Sequence, residues 1–134
     1  MAKQWTEDLS VGVEEIDNQH KEFINALNSL LDAMARGKGR KIIGDELSFI
    51  ENYVDKHFAL EEGYMRRFMY DKYHAHKAIH DGFKKEMAAL KAEFQQGGPA
   101  IGLVIKVEKN MLDWLINHIN EVDKKLGAFL KGKV

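Results

Sequence analysis

The sequence predicts an all-α protein, an antiparallel up-down-up-down four-helix bundle with an N-terminal arm and a short C-terminal cap. Three observations carry this expectation. Apolar residues recur at alternating spacings of three and four, the pattern of helices that turn one face to a core. The single proline, Pro99, sits beside Gly97 and Gly98, and Gly37 is paired with Gly39, so strong breakers separate the periodic segments. No stretch of useful length alternates as a strand does, and there is no internal repeat or low-complexity tract.

The first helix is predicted over roughly 17–36, with the stripe Ile16, His20, Phe23, Leu27, Leu30 and Met34. Asp17 is read as its N-cap. Arg36-Gly37-Lys38 closes it, with basic groups near the carbonyl end and a glycine free to take positive φ. The second helix, roughly 41–65, carries Ile43, Leu47, Ile50, Val54, His57, Glu61 and Met65. The third, roughly 72–96, carries Tyr73, His76, His80, Phe83, Met87, Leu90 and Phe94, with Asp71 as its N-cap.

Gly97-Gly98-Pro99 ends the third helix and opens the fourth, with proline at the first helical position. The fourth, roughly 99–119, carries Val104, Val107, Met111, Trp114, Leu115 and His118. Ala128, Phe129 and Leu130 are read as a cap over one mouth of the bundle. Short connections make neighbouring helices antiparallel.

With 134 residues the chain is expected to be one domain, 1–134, large enough for a continuous core. Lys and Arg number 20 against 21 Asp and Glu, a formal net charge of -1, so no basic excess suggests nucleic acid. The absence of cysteine excludes disulfides, thiolate metal sites and cysteine nucleophiles. The N-terminus lacks an apolar signal-like stretch, and no run reaches the roughly 18 apolar residues of a membrane helix. A cytoplasmic monomer without a fused output domain is therefore expected.

Six ionisable residues, His20, His57, Glu61, His76, His80 and His118, lie on the same stripes as the core, and Asp123 lies beyond the fourth helix. Unpaired charges there cost several kcal/mol each, so something must compensate them. Their height along the bundle says what. His20 and His76/His80 fall near helix starts, and His57/Glu61 and His118/Asp123 near helix ends. In an up-down-up-down bundle those four places share one end. Scattered core histidines have no reason to share a level, whereas a metal site requires it.

His57 and Glu61, like His76 and His80, are four apart and point one way on a helix. His118 and Asp123 are five apart, about 140° of rotation on an unbroken α-helix. Asp123 therefore joins the set only if the fourth helix ends or loosens near Asn120. If both carboxylates and an oxo or hydroxo group bridge two metals, five imidazoles divide three and two. One metal is then closed and six-coordinate, and the other is five-coordinate with an open position. Octahedral nitrogen and oxygen donors suit iron better than zinc.

The combination His57-Phe58-Ala59-Leu60-Glu61-Glu62, His76-x3-His80 and Trp114-Leu115-Ile116-Asn117-His118 with Asp123 closely resembles hemerythrin. Ile16-Asp17-Asn18-Gln19-His20 and Trp5 fit the bacterial, single-domain form, and the resemblance covers essentially the whole chain. It implies a closed iron held by His76, His80 and His118, and an open iron held by His20 and His57, with Glu61 and Asp123 bridging. It further implies reversible O2 binding at the open iron. Both ions would be Fe2+ without oxygen and Fe3+ in the oxygenated or oxidised form, joined by an oxo or hydroxo bridge. Phe58, Trp114, Leu115 and Ile119 match positions that line the O2 pocket in relatives. Asp71 departs from the family, where proline often follows the tyrosine.

Blander readings apply elsewhere. His74 lies off the stripe and is read as solvated, Glu62 as exposed, and Lys124, Lys125, Lys131 and Lys133 as a solvated face. The leading functional expectation is O2 storage, delivery or sensing by a non-enzyme. The alternatives are a di-iron oxidase, peroxidase or nitric-oxide-handling enzyme, and a zinc site that serves folding or partner binding. Ferritin-like di-iron oxygenases use more carboxylates and a Glu-x-x-His motif on two helices, which the ligand stripes here lack.

Overall fold

The computed structural model describes residues 3–134; Met1 and Ala2, the start of the arm and of the expected domain, lie outside the described residues. Helix α1 spans Glu14–Ala35, α2 spans Arg40–Arg67 and α3 spans Tyr73–Gly97. A fourth rod, α4, occupies residues 101–130. Its α-helical turns over Ile101–Val107, Trp114–His118 and Lys124–Leu130 alternate with π-helical stretches over Glu108–Asp113 and Ile119–Asp123. Backbone angles stay right-handed helical through every junction, so the rod is continuous. Consecutive helices pack side by side, and α4 closes the ring against α1. This is the four-helix bundle the periodicity predicts.

The stripes are buried as expected. Phe23, Leu27 and Leu30 of α1 meet Ile43, Leu47 and Ile50 of α2, Met87 and Leu90 of α3, and Val107 and Met111 of α4 in one core. Each such fully buried side chain contributes about 1.5–3 kcal/mol. Among the described residues there is no strand, and no helix is long and apolar enough to cross a membrane.

Helices α1 and α2 end in the same hydrogen-bonded turn. After α1, Lys38 N–H donates to Ala33 O and Gly37 N–H to Met34 O, with Gly37 at φ 67. After α2, Tyr70 N–H donates to Met65 O and Met69 N–H to Arg66 O. Here the left-handed position is filled by Met69, at φ 56.

Four boundaries differ from the sequence expectation. Helix α1 starts at Glu14, because Asp17 is not its cap: the Asp17 carboxylate accepts the Val11 N–H at 2.9 Å and the Ser10 hydroxyl at 2.5 Å. It thereby pins the N-terminal arm. Asp71 does not cap α3; Lys72 holds that position without a side-chain bond. Pro99 lies before the fourth rod, whose N-cap is Ala100 in extended conformation. Finally, Ala128, Phe129 and Leu130 form the last turn of α4, which does not stop near residue 119; Leu130 is buried, Phe129 is partly buried and Ala128 is exposed.

The arm lies against that last turn, with Leu9, Val11 and Val13 buried. A Cβ on Gly127 would sit 1.9 Å from Val11 O, so only glycine allows this approach.

Candidate metal centre

The seven donors predicted from sequence meet at one end of the bundle. Helix α1 supplies His20, α2 supplies His57 and Glu61, and α3 supplies His76 and His80. His118 comes from α4 just before its second π-helical stretch, which ends at Asp123. All seven are buried, and His20, His57, Glu61 and His80 are 0% exposed.

Glu61 and Asp123 divide the histidines into two groups. On one side, Glu61 Oε1 lies 3.1 Å from His80 Nε2 and 3.4 Å from His76 Nε2. Asp123 Oδ1 lies 3.1 Å from His76 Nε2 and 3.2 Å from His118 Nε2. On the other side, Glu61 Oε2 lies 3.1 Å from His57 Nε2 and 3.3 Å from His20 Nε2, and Asp123 Oδ2 lies 3.0 Å from His20 Nε2. Two overlapping donor sets result: His76, His80 and His118 with both carboxylates, and His20 and His57 with the same two. Within each set the donor atoms lie within 4.8 Å of one another.

These separations are short enough for ion pairs, yet none is directed as a hydrogen bond. All five Nε2 atoms and all four carboxylate oxygens are buried without a hydrogen-bond partner among the described residues. That many orphaned groups would be prohibitive in an apolar interior without a cation. Nitrogen and carboxylate oxygen donors in this number fit first-row transition metals.

In the metal-free protein, protons do part of that work. Burial opposes the charged ring at His20 and His76, but contact with Asp123 and Glu61 outweighs it and raises both to about 9. Burial likewise opposes ionisation of Glu61 and Asp123, and the surrounding imidazoles still hold both carboxyls below the usual range.

An aromatic layer, with one ring from each helix, packs against the donors. Phe58 stacks on His80 at 3.8 Å and Trp114 on His118 at 4.6 Å. Phe83 lies 5.8 Å from Phe58 and 4.2 Å from Trp114, and Phe23 lies 6.1 Å from Phe83 and 5.9 Å from His57.

The family model of the hemerythrin HHE cation binding domain matches residues 11–130. The chain belongs to the hemerythrin family. A bacteriohemerythrin of Pseudomonas aeruginosa is 36% identical over 120 residues, covering 89% of this chain and 75% of that protein. The bacteriohemerythrin of Methylococcus capsulatus is 35% identical over 127 residues, covering 94% and 95%. A hemerythrin alpha subunit of Lingula reevii is 30% identical over 130 residues, covering 97% and 93%. A wild-type hemerythrin crystal structure superposes with a TM-score of 0.83 at 34% identity, covering 96% of this chain and 97% of that one.

Around this cluster, Leu115 and Ile119 are fully buried, and Phe58 lies against one histidine of each donor set, 3.8 Å from His80 and 5.8 Å from His57. A groove of about 540 Å³ reaches Phe83 and Trp114 from outside, but none of the seven donors lines it. His74 is exposed, as expected.

Glu62 is a correction: it is buried, and its Oε2 accepts the His80 Nδ1–H at 2.9 Å. Gln19 Oε1 pairs in the same way with His57 Nδ1 at 2.8 Å. Neither residue emerges from the stripe pattern. The signal that finds them is chemical: a ligating imidazole needs an acceptor for its other nitrogen.

Proposed function

We propose that this hemerythrin-family chain binds O2 reversibly at a non-haem di-iron centre, serving oxygen storage, delivery or sensing. One observation carries the reading: five inward Nε2 atoms are shared three and two across the paired oxygens of two carboxylates. Under this reading His76, His80 and His118 would hold one iron and His20 and His57 the other, with Glu61 and Asp123 spanning both. By donor count the two-histidine position has one coordination place to spare. Ferrous iron in both positions would supply the electrons that reversible O2 binding draws on.

The remaining residues hold the donors and keep water away. Gln19 and Glu62 fix the rings of His57 and His80 through their outer nitrogens. Phe58, Trp114, Leu115 and Ile119 are assigned as the apolar wall of the O2 pocket, excluding water and stray protons. The donor set also supports a carrier over an enzyme, because neutral imidazoles stabilise high-valent iron less than the carboxylate-rich sets of di-iron oxygenases do.

Metal analysis tests the assignment. Protein incubated with ferrous iron under nitrogen, then desalted, should retain two irons per chain. One zinc and no iron would contradict it.

A further inference from the structure

An imidazole that gives its Nε2 lone pair to a metal keeps its proton on Nδ1. The group accepting that Nδ1–H tunes how strongly the ring donates. Among the described residues, the rings of His80 and His57 each pair through Nδ1 with a side-chain acceptor, and these two acceptors differ in charge. His80 donates to the Glu62 carboxylate at 2.9 Å, whereas His57 pairs with the neutral Gln19 amide at 2.8 Å. Nδ1 of His20 and of His76 has no hydrogen-bond partner among the described residues. The charged acceptor thus serves the three-histidine set and the neutral one the two-histidine set. Glu62 is only 7% exposed, so water screens its charge weakly.

We propose that Glu62 is a positioning residue that adds an electronic difference to the unequal ligand sets of the two metal positions, so that the three-histidine iron is oxidised before its neighbour. The proposal rests on the di-iron reading above. A hydrogen bond to a carboxylate is charge-assisted and draws the Nδ1 proton away from the ring. The ring becomes a stronger donor, and a stronger donor favours the ferric over the ferrous ion. An amide oxygen does this less. Each oxidation moves one electron from one ferrous ion to the electrode mediator.

Stepwise spectroelectrochemical titration of iron-loaded protein, without O2, tests this in the parent, Glu62→Gln and Gln19→Glu. Glu62→Gln keeps the size and the acceptor but removes the charge. It should shift the first oxidation equilibrium about tenfold toward the ferrous form, a potential about 59 mV more positive. Gln19→Glu gives His57 a charged partner and should lower the second potential by a similar amount.

An unchanged first potential in fully iron-loaded Glu62→Gln would overturn the proposal and leave the di-iron reading standing. A parent protein that takes up no iron would overturn the di-iron reading itself. If Glu62→Gln fails to load, Gln19→Glu decides: a lowered second potential supports the proposal, and an unchanged one overturns it.

Discussion

Asp123 Oδ1 lies 3.2 Å from His118 Nε2, although the two residues are five apart on one rod. An α-helix would turn them about 140° from each other. Over Ile119–Asp123 the backbone winds as a π-helix, with the Lys124 N–H reaching back five residues to Ile119 O, and the wider turn brings Asp123 round to the face of His118. The geometry of the whole cluster depends on this widened turn, because Asp123 contacts histidines of both donor sets.

Moving the acid one position tests whether the fold imposes that winding. On a regular α-helix, an aspartate at 122 would sit four residues from His118 and face it. In this chain the double substitution Val122→Asp, Asp123→Val should lose metal as Asp123→Val does, with affinity lower by about tenfold or more. Metal loading at the parent level would mean that the rod rewinds freely.

The pH dependence of the metal-free protein has a definite sign. His20 and His76 are raised from 6.5 to about 9, so their contribution to stability is complete below pH 6.5 and is lost as pH rises through 9. The depressed carboxyls of Glu61 and Asp123 contribute above their ordinary values of 4.5 and 3.8, and that part is lost on strong acidification. Metal must displace the histidine protons, so its affinity should rise between pH 6.5 and 9, by about tenfold per unit for each displaced proton. Thermal melts with and without cobalt(II) at pH 6.5 and pH 9 check this. The gap between loaded and metal-free midpoints should widen with pH; a constant gap would contradict it.

That these seven ionisable side chains gather in one buried cluster was legible in the sequence, because ionisable groups on core stripes are costly and these shared one level. Asp123 was half legible: its spacing demanded a loosened helix, and the loosening is a wider turn within a rod that runs on to Leu130. Gln19 and Glu62 were not legible. They touch the outer nitrogens of the rings, so they stand beside the stripes, where a polar residue reads as surface. Asp17 misled for a related reason. Its side chain has the chemistry of a cap but is used by Val11 and Ser10 of the arm, three residues after the helix has begun.

Met69 is the one non-glycine residue with positive φ among the described residues, and it is 86% exposed. Its side chain gains little from burial, while the left-handed conformation costs a β-carbon-bearing residue roughly 1–2 kcal/mol. Met69→Gly removes that cost but frees the unfolded chain, so a net gain of about 1 kcal/mol is expected. Denaturant unfolding checks it, and a loss of stability would contradict the strain argument.

Leu115 is fully buried beside the cluster's helix-four donor. Leu115→Ala should cost about 2–5 kcal/mol through the cavity it leaves. If Leu115 is part of the pocket wall, the variant should also load iron normally and autoxidise faster than the parent. Equal autoxidation rates would remove Leu115 from that wall.

The most direct measurement is repeated oxygenation and degassing of anaerobically iron-loaded protein, followed by visible absorption. The colourless reduced form should gain a charge-transfer band in air and lose it under vacuum through successive cycles. A band that fails to reverse, with O2 consumed and peroxide released, would contradict reversible O2 binding.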